Sequence, residues 1–292
     1  MPQSNRQKRL GQFWTPPVIA EFMLELVGFN PLWKVIDPAC GEGIFLLKAL
    51  ERGCKFAVGI DIDPEAIERA KTLLKDHLGK VQFYCQDGLL PINDENAFWR
   101  SDYDLVVGNP PFAATGYRVR DREILSKFEL AKVKVGEETI NLSGQGSLFE
   151  VSLERKRQKP SQAIEVLFLE RFVNLCKQGG KVCIILPEGI FANTSLRHVR
   201  EWLIKNFTIH AVIGLPRDTF KAVGTTAKTA ILYLEKRPPQ ENHEVFLAEV
   251  SRVNVNGNAS LDSDANPQLV AVLEAMKLRE QTIAKRQNLA GG

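Results

Sequence analysis

No Cys-x-x-Cys pair, no histidine cluster and no apolar run of membrane-spanning length occurs in the 292-residue chain. Each absence excludes something. The five cysteines are odd in number and stand singly, several of them inside apolar runs. They read as reduced structural thiols of a cytosolic protein rather than a disulfide framework or a thiolate metal site. The four histidines fall at no metal-ligand spacing, so no metal is expected. A spanning helix needs roughly 18 apolar residues or more, which excludes a membrane span. The opening "MPQSNRQKRLGQ" is basic but lacks the apolar core of a secretory signal, and a cytoplasmic location is expected. Charge of one sign is lacking too. Thirty-eight Lys and Arg face 35 Asp and Glu, a formal net charge of +3, which permits a polyanionic partner without requiring one. What remains is ordinary for a globular chain with a large core: 44% hydrophobic and 25% charged residues.

Seven short apolar runs rich in β-branched residues are present: "KVIDPA", "FAVGIDI", "VQFYCQD", "DLVVGN", "KVCIILP", "HAVIGLP" and "TAILYLE". Most end in Gly, Pro, Asn or Asp. Helical periodicity predicts helices over Ile44–Leu50, Glu65–Leu74, Ile164–Cys176 and Ser195–Phe207. Pro64 suits the first of the helical positions before "EAIERAKTLL", and "KQGGK" after Cys176 is a stop. Continuous apolar strands alternating with helices predict an α/β fold: a seven-stranded, mostly parallel sheet with helices on both faces. Ligands of such sheets bind beyond the C-terminal strand ends, where the acidic and glycine residues of this chain cluster.

Two stretches break that rhythm. Residues 113–160 hold ten basic and seven acidic residues, a surplus equal to the net charge of the whole chain. They read as a polar surface insertion, disordered in part. "KRPPQENH" then marks a boundary near residue 237. One domain over 1–237 is expected, followed by an extension, 238–292, with a further strand candidate "VFLAEV" and a helix over about 268–286.

The chemistry-bearing residues follow the strands. "VIDPACGEGIF" ends a strand at Asp37 and turns through Gly41 and Gly43 into a helix near Glu42, letting the backbone approach a ligand closely. About 20 residues beyond Gly41, Asp61 in "GIDID" stands where a carboxylate accepts from ribose hydroxyls. Asp87 in "YCQDGL" could accept from an adenine amine. Each alone is as well explained as a helix cap; three in sequence outline a nucleoside. A full G-x-G-x-x-G is lacking, which argues against a dinucleotide. The fourth tip is "YDLVVGNPPF", where two prolines stiffen the chain and hold Asn109 extended before them.

These motifs resemble those of S-adenosylmethionine-dependent adenine-specific DNA methyltransferases, most closely the modification subunits of type I restriction–modification systems. "GQFWTPPVIAEFM", "DPACGEGIF", "NPPF", "FLERFVNLCKQGGKVCIILPEGIF" and "GLPRDTFKAVGTTAKTAILYLEK" carry the likeness over roughly residues 10–250, the insertion apart. It implies a Rossmann-like methyltransferase fold and S-adenosyl-L-methionine as cofactor, held by Gln12, Phe13, Thr15, Pro16, Asp37, Ala39, Gly41, Gly43, Asp61, Ile62, Asp87 and Gly88. It implies a catalytic tip of Asn109, Pro110, Pro111 and Phe112. The Asn109 side-chain carbonyl and the Pro110 backbone carbonyl would accept from the 6-amino group of adenine, and Phe112 would stack on a base swung out of the duplex. Phe220 falls where the family often keeps an aromatic beside that base, and Lys228 could touch a DNA phosphate; a core position and a solvated turn explain them as well.

The implied partners are DNA, a DNA-specificity subunit and a restriction subunit. Type I modification subunits usually carry an N-terminal helical domain; with the cofactor motif starting near residue 11, neither that domain nor a separate target-recognition domain is expected here. Two other readings stay open. One is methylation of a protein glutamine or an RNA exocyclic amine, which the same Asn-Pro-Pro geometry would serve. The other is a non-catalytic cofactor- or DNA-binding component of a larger assembly.

Overall fold

The structure is a computed structural model and describes residues 14–90, 102–112, 117–144, 147–221, 226–256 and 259–290. Helix α1 (Pro17–Leu26) leads into β1 (Lys34–Asp37), α2 (Ile44–Glu51), β2 (Phe56–Asp61), α3 (Pro64–Leu73) and β3 (Val81–Cys85). After β4 (Tyr103–Gly108) come β5 (Arg118–Val119), α4 (Arg122–Ser126), β6 (Lys132–Gly144), β7 (Ser147–Gln158) and β8 (Gln162–Ala163). The remainder is α5 (Ile164–Leu175), β9 (Cys176–Pro187), α6 (Gly189–Ala192), α7 (Arg197–Asn206), β10 (Thr208–Leu215), β11 (Thr229–Glu235), β12 (Phe246–Glu249) and α8 (Pro267–Ala290).

One eight-stranded sheet organises these elements in the order β12-β10-β11-β9-β4-β1-β2-β3. Only β11 runs antiparallel, to β9 on one side and β10 on the other. The chain steps outward from β1 to β3, then returns to lay β4 against the other edge of β1. The strand order therefore reverses between β1 and β4, and a crevice opens beyond their C-terminal ends.

The alternation along each strand explains the two-sided core. Val35, Leu105, Val107, Cys183 and Ile185 join the apolar cluster under α1, α2 and α8. Their neighbours Ile36, Val106, Val182, Ile184 and Leu186 join the opposite cluster under α5 and α7. Burying such side chains contributes about 1.5–3 kcal/mol each relative to exposure. Both faces are apolar because both are covered, which is why these strands read as continuous hydrophobic runs. All five cysteines are free thiols, four of them buried.

Two sequence expectations change. The sheet has eight strands, not seven: "FLAE" past the 237 boundary adds as β12, parallel to β10. Its weak alternation, half-buried on one side only, is what an edge strand shows. The 113–160 insertion is also more ordered than its charge suggests. Beyond residues 113–116 it forms β5 and α4, then β6 and β7 pair as a long antiparallel ribbon that packs chiefly on itself. Just past its end, β8 returns to pair with β5.

Candidate active site

The crevice at the β1–β4 reversal is a cavity of about 470 Å3, within the range of small-molecule and cofactor sites. Four consecutive strand tips build it. At the first, the Asp37 carboxylate accepts from the Ala39 backbone N–H at 3.0 Å and shapes the turn toward Gly41. At the second, Asp61 bridges two loops: Oδ2 accepts from Gly41 N–H at 2.8 Å and Oδ1 from Asp63 N–H at 2.9 Å. Asp63 in turn caps α3 through the Glu65 N–H, with Pro64 in the first turn. At the third, Asp87 Oδ1 accepts from Leu89 N–H at 2.9 Å. At the fourth, Asn109 donates from Nδ2 to the Thr15 hydroxyl at 3.1 Å, which orients the carboxamide across 94 residues of sequence.

Two glycines make these tips fit. A Cβ on Gly108 would lie 2.5 Å from Asp37 Oδ1, and one on Gly88 would lie 2.2 Å from the Pro38 carbonyl oxygen. Neither position admits a side chain without movement of its neighbour. The β4 tip that carries Asn109 is thus seated directly on the Asp37 carboxyl group that shapes the first loop.

Burial drives the electrostatics. It pushes the Asp37 carboxyl well above the usual carboxylate range, with the neighbouring Asp61 charge adding to the shift. Burial also raises Asp61, partly offset by the N–H groups of Asp63 and Gly41. Glu42 is raised by burial as well, against the opposing effect of Arg69. Arg69 pairs with Glu42 and lies over the Trp14 ring, 5.5 Å from its centroid. Five carboxyl groups line the cavity (Asp37, Glu42, Asp61, Asp87, Asp121) against two guanidinium groups, Arg69 and Arg120, and even with burial favouring the neutral form of Asp37 the acidic groups outnumber the basic. The balance favours a ligand with positive charge and hydroxyl donors.

Of the residues expected from sequence, Thr15, Asp37, Ala39, Gly41, Asp61, Ile62, Asp87, Gly88, Asn109, Pro111 and Phe112 all line this one cavity. Gly43, φ 83°, is the N-cap of α2 and, like Pro16 and Pro110, is not among the lining residues. Gln12 and Phe13 lie outside the described residues. Phe220 is fully buried in the core cluster beneath α1 and α8 and is not part of the lining. Lys228 forms ion pairs with Glu188 at 2.9 Å and Glu249 at 2.8 Å. No helix among the described residues is long and apolar enough to cross a membrane, and no His/Cys/Asp/Glu group among them could hold a metal ion.

Sequence reasoning missed one wall. Tyr117, Val119, Arg120, Asp121 and Ile124 from β5 and α4 line the cavity, as do Ile164 and Phe168 of α5. The signal available was Asp121 before "REIL", an N-cap whose carboxylate accepts from Glu123 and Ile124 N–H. Arg69 carried no signal of its own, being one basic residue on an amphipathic helix.

The cavity satisfies the demands of a nucleoside carrying a cationic tail. Exposed Ile62 and buried Phe45 and Phe168 offer apolar surface, carboxylates stand at three tips, and Gly88 keeps the loop close to Pro38. Fold and site together define a Rossmann-like protein of the methyltransferase class, with an eight-stranded sheet and its ligand crevice at the strand-order reversal. The chain belongs to the N-6 DNA Methylase family, whose sequence profile matches residues 2–275.

Individual relatives agree at lower similarity. The type II restriction enzyme and methyltransferase RM.BcgI of Heyndrickxia coagulans is 24% identical over 82% of this chain and 33% of its own length. The EcoEI type I methylase subunit of Escherichia coli is 24% identical over 82% of this chain and 45% of its own. The chain thus spans less than half of these relatives. Among solved structures, a Vibrio vulnificus YJ016 chain assigned as the modification subunit of a type I restriction enzyme superposes with a TM-score of 0.65. It is 19% identical and covers 93% of this chain and 53% of that one. A Listeria monocytogenes protein assigned to the class I S-adenosylmethionine-dependent methyltransferases gives 0.62 at 22% identity, covering 89% and 69%. At these identities the superpositions speak to the fold alone.

Proposed function

We propose that the chain transfers a methyl group from S-adenosyl-L-methionine to the 6-amino group of adenine in DNA, as the modification component of a restriction–modification system. The observation that carries this is the placement of Asn109, oriented by Thr15, in the same cavity as Asp61 and Asp87. Asp61 and Asp87 are assigned the ribose and adenine of the cofactor. Ile62 and Phe168 are assigned its apolar faces, and Thr15 and the 39–41 backbone its methionine end. When bound, the cofactor supplies a methyl group activated on a sulfonium.

Every other task falls to the protein. The amine of adenine is a poor nucleophile because its lone pair is delocalised into the ring. Acceptors aimed at its hydrogens draw the nitrogen toward tetrahedral geometry and restore the lone pair. The Asn109 side-chain carbonyl and the Pro110 backbone carbonyl serve as those acceptors. The paired prolines fix their direction before the substrate arrives, so little reorganisation is needed. Phe112 and Pro111 provide the surface against which the extruded base rests, offsetting part of the few kcal/mol that unstacking costs. Alignment of amine and methyl supplies much of the remaining rate. In this reading residues 1–237 form the catalytic unit and 238–292 complete its sheet, while target-sequence recognition comes from a specificity subunit and any cleavage from a restriction subunit.

Transfer of a tritiated methyl group to unmethylated DNA, followed by nucleoside analysis, tests the proposal. Label in N6-methyladenine is expected, with partner chains added if the chain alone is inactive. Label confined to RNA or to protein glutamine overturns the DNA assignment.

A further inference from the structure

Helix α5 carries two adjacent charged residues, Glu170 and Arg171, that are only 4% and 2% exposed. Neither lines the cavity and neither enters the reaction described above. Buried charges are costly and persist where fixed partners hold them. Here the partners are backbone groups of two separate loops. Arg171 donates from Nη2 to the carbonyl oxygens of Leu89 at 3.2 Å and Leu90 at 2.6 Å. Its guanidinium also lies over the Phe128 ring, 5.0 Å from the centroid. Glu170 accepts from Glu129 N–H at Oε1 and from Leu130 N–H at Oε2, both at 2.7 Å.

Consecutive residues on a helix point about 100° apart, so the pair reaches in two directions from one rigid rod. The loop held by Arg171 begins at Asp87 and Gly88, both cavity-lining, and its turn closes through Leu89 N–H on the Asp87 carboxylate and Leu90 N–H on the Asp87 carbonyl. The loop held by Glu170 ends the segment that brings Val119, Arg120, Asp121 and Ile124 to the cavity. The same helix presents Ile164 and Phe168 to the cavity, and the Phe168 ring abuts Gly88.

We propose that Glu170 and Arg171 are positioning residues: Arg171 sets the nucleoside-side loop 87–90, Glu170 sets the acceptor-side segment 117–130, and helix α5 thereby fixes the distance between the two halves of the cavity. The inference rests on the methyl-donor reading of the cavity. It makes α5 the common reference for two walls whose anchored residues, Leu89 and Leu90 on one and Glu129 and Leu130 on the other, lie 40 residues apart in sequence, and it assigns each wall its own anchor.

The test uses the full chain and the variants R171M, R171K and E170Q. R171M withdraws both hydrogen bonds while keeping an apolar stem of similar length. Calorimetry with S-adenosylhomocysteine, steady-state kinetics on DNA and amide hydrogen exchange are read together. R171M is expected to weaken S-adenosylhomocysteine by about tenfold or more, with faster exchange over 86–90 and unchanged exchange over 128–131. R171K is expected to recover part of the affinity. E170Q is expected to leave that affinity unchanged, speed exchange over 128–131 only, and raise KM for DNA or lower kcat. Exchange rising at both loops in either variant, or affinity losses that simply follow the melting temperature, would overturn the assignment. The exchange measurement needs no ligand. Failure of the unmodified chain to bind S-adenosylhomocysteine therefore counts against the methyl-donor reading, and a loop-specific exchange pattern still decides the anchoring.

Discussion

Gly108→Ala probes the join between the two halves of the site without removing any functional group. The added methyl would stand 2.5 Å from Asp37 Oδ1 and 2.9 Å from its Cγ, where ordinary contact begins at 3.4 Å. The gap must open by about 0.9 Å, either by lifting the β4 tip or by pushing the Asp37 side chain off the Ala39 N–H it now accepts from. Asp37 is 1% exposed and hydrogen-bonded, so it has little room to yield. The β4 tip, ending one residue before Asn109, is the part that moves. Overpacking of this kind costs about 1–3 kcal/mol of stability, and a displacement near 1 Å at a reacting group can cost on the order of a hundredfold in rate. The variant should therefore fold with a lowered melting temperature and lose about 10–100-fold in kcat, with a smaller loss in cofactor affinity. Single-turnover methyl transfer and calorimetry on the same preparation separate the two. A variant within twofold of the parent in both, at a melting temperature lowered as expected, would show that the seating of Gly108 on Asp37 does not govern Asn109, and the geometric argument would fail.

Asn109→Ala should cost about 10²–10³ in kcat, the scale of one lost preorganised donor or acceptor, with cofactor affinity nearly unchanged; a large loss in calorimetric affinity would remove Asn109 from the acceptor role. Asp37→Asn should raise the melting temperature near pH 7 while weakening the cofactor. An acid whose folded pKa is raised holds its proton in the folded state after the unfolded chain has released it, so ionisation lowers stability as pH rises from the ordinary value through the folded one. The thermal gain should therefore vanish once the pH falls below about 4, where Asp37 is protonated even in the unfolded chain; a gain that persists there points to packing instead. Replacing 134–156 by a short turn should leave the melting temperature close to that of the parent, because β6 and β7 pack chiefly on each other. Loss of the fold in that deletion would show that the ribbon supports the sheet.

What was legible in the sequence was whatever short-range chemistry dictates. Parallel strands covered on both faces are continuous apolar runs, and each ends where a polar residue begins, so Asp37, Asp61, Asp87 and Asn109 announced themselves as strand tips. The paired prolines fixed the conformation of the fourth tip from sequence alone. The insertion was misjudged because charge was given more weight than pattern. "KVKVGEETINL" and "SLFEVSLERK" flank the glycine-containing "SGQG", a hairpin signal in the sequence that composition obscured. The eighth strand was seen as a candidate but placed outside the sheet, since nothing local says which edge a four-residue strand will join.

The harder cases share one cause. Phe220 reads identically in sequence whether it faces a ligand or a core, and in the fold it is fully buried among the residues of the apolar core cluster. Arg171 reads as the polar face of a helix, yet its partners are carbonyls 81 and 82 residues earlier. The Asn109–Thr15 bond spans 94 residues in the same way. Local rules therefore name the groups that could react, while the relative placement of those groups is set by contacts between distant segments, whose partners no local pattern names. A search for function by motif alone finds the tips of β1 to β4 and overlooks what holds them in register. For this chain the consequence is concrete: substitutions on α5, a helix that carries no reacting group, should change methyl transfer more than substitutions at exposed Ile204 or Leu278, because α5 touches both walls of the cavity and those side chains are 62% and 66% exposed.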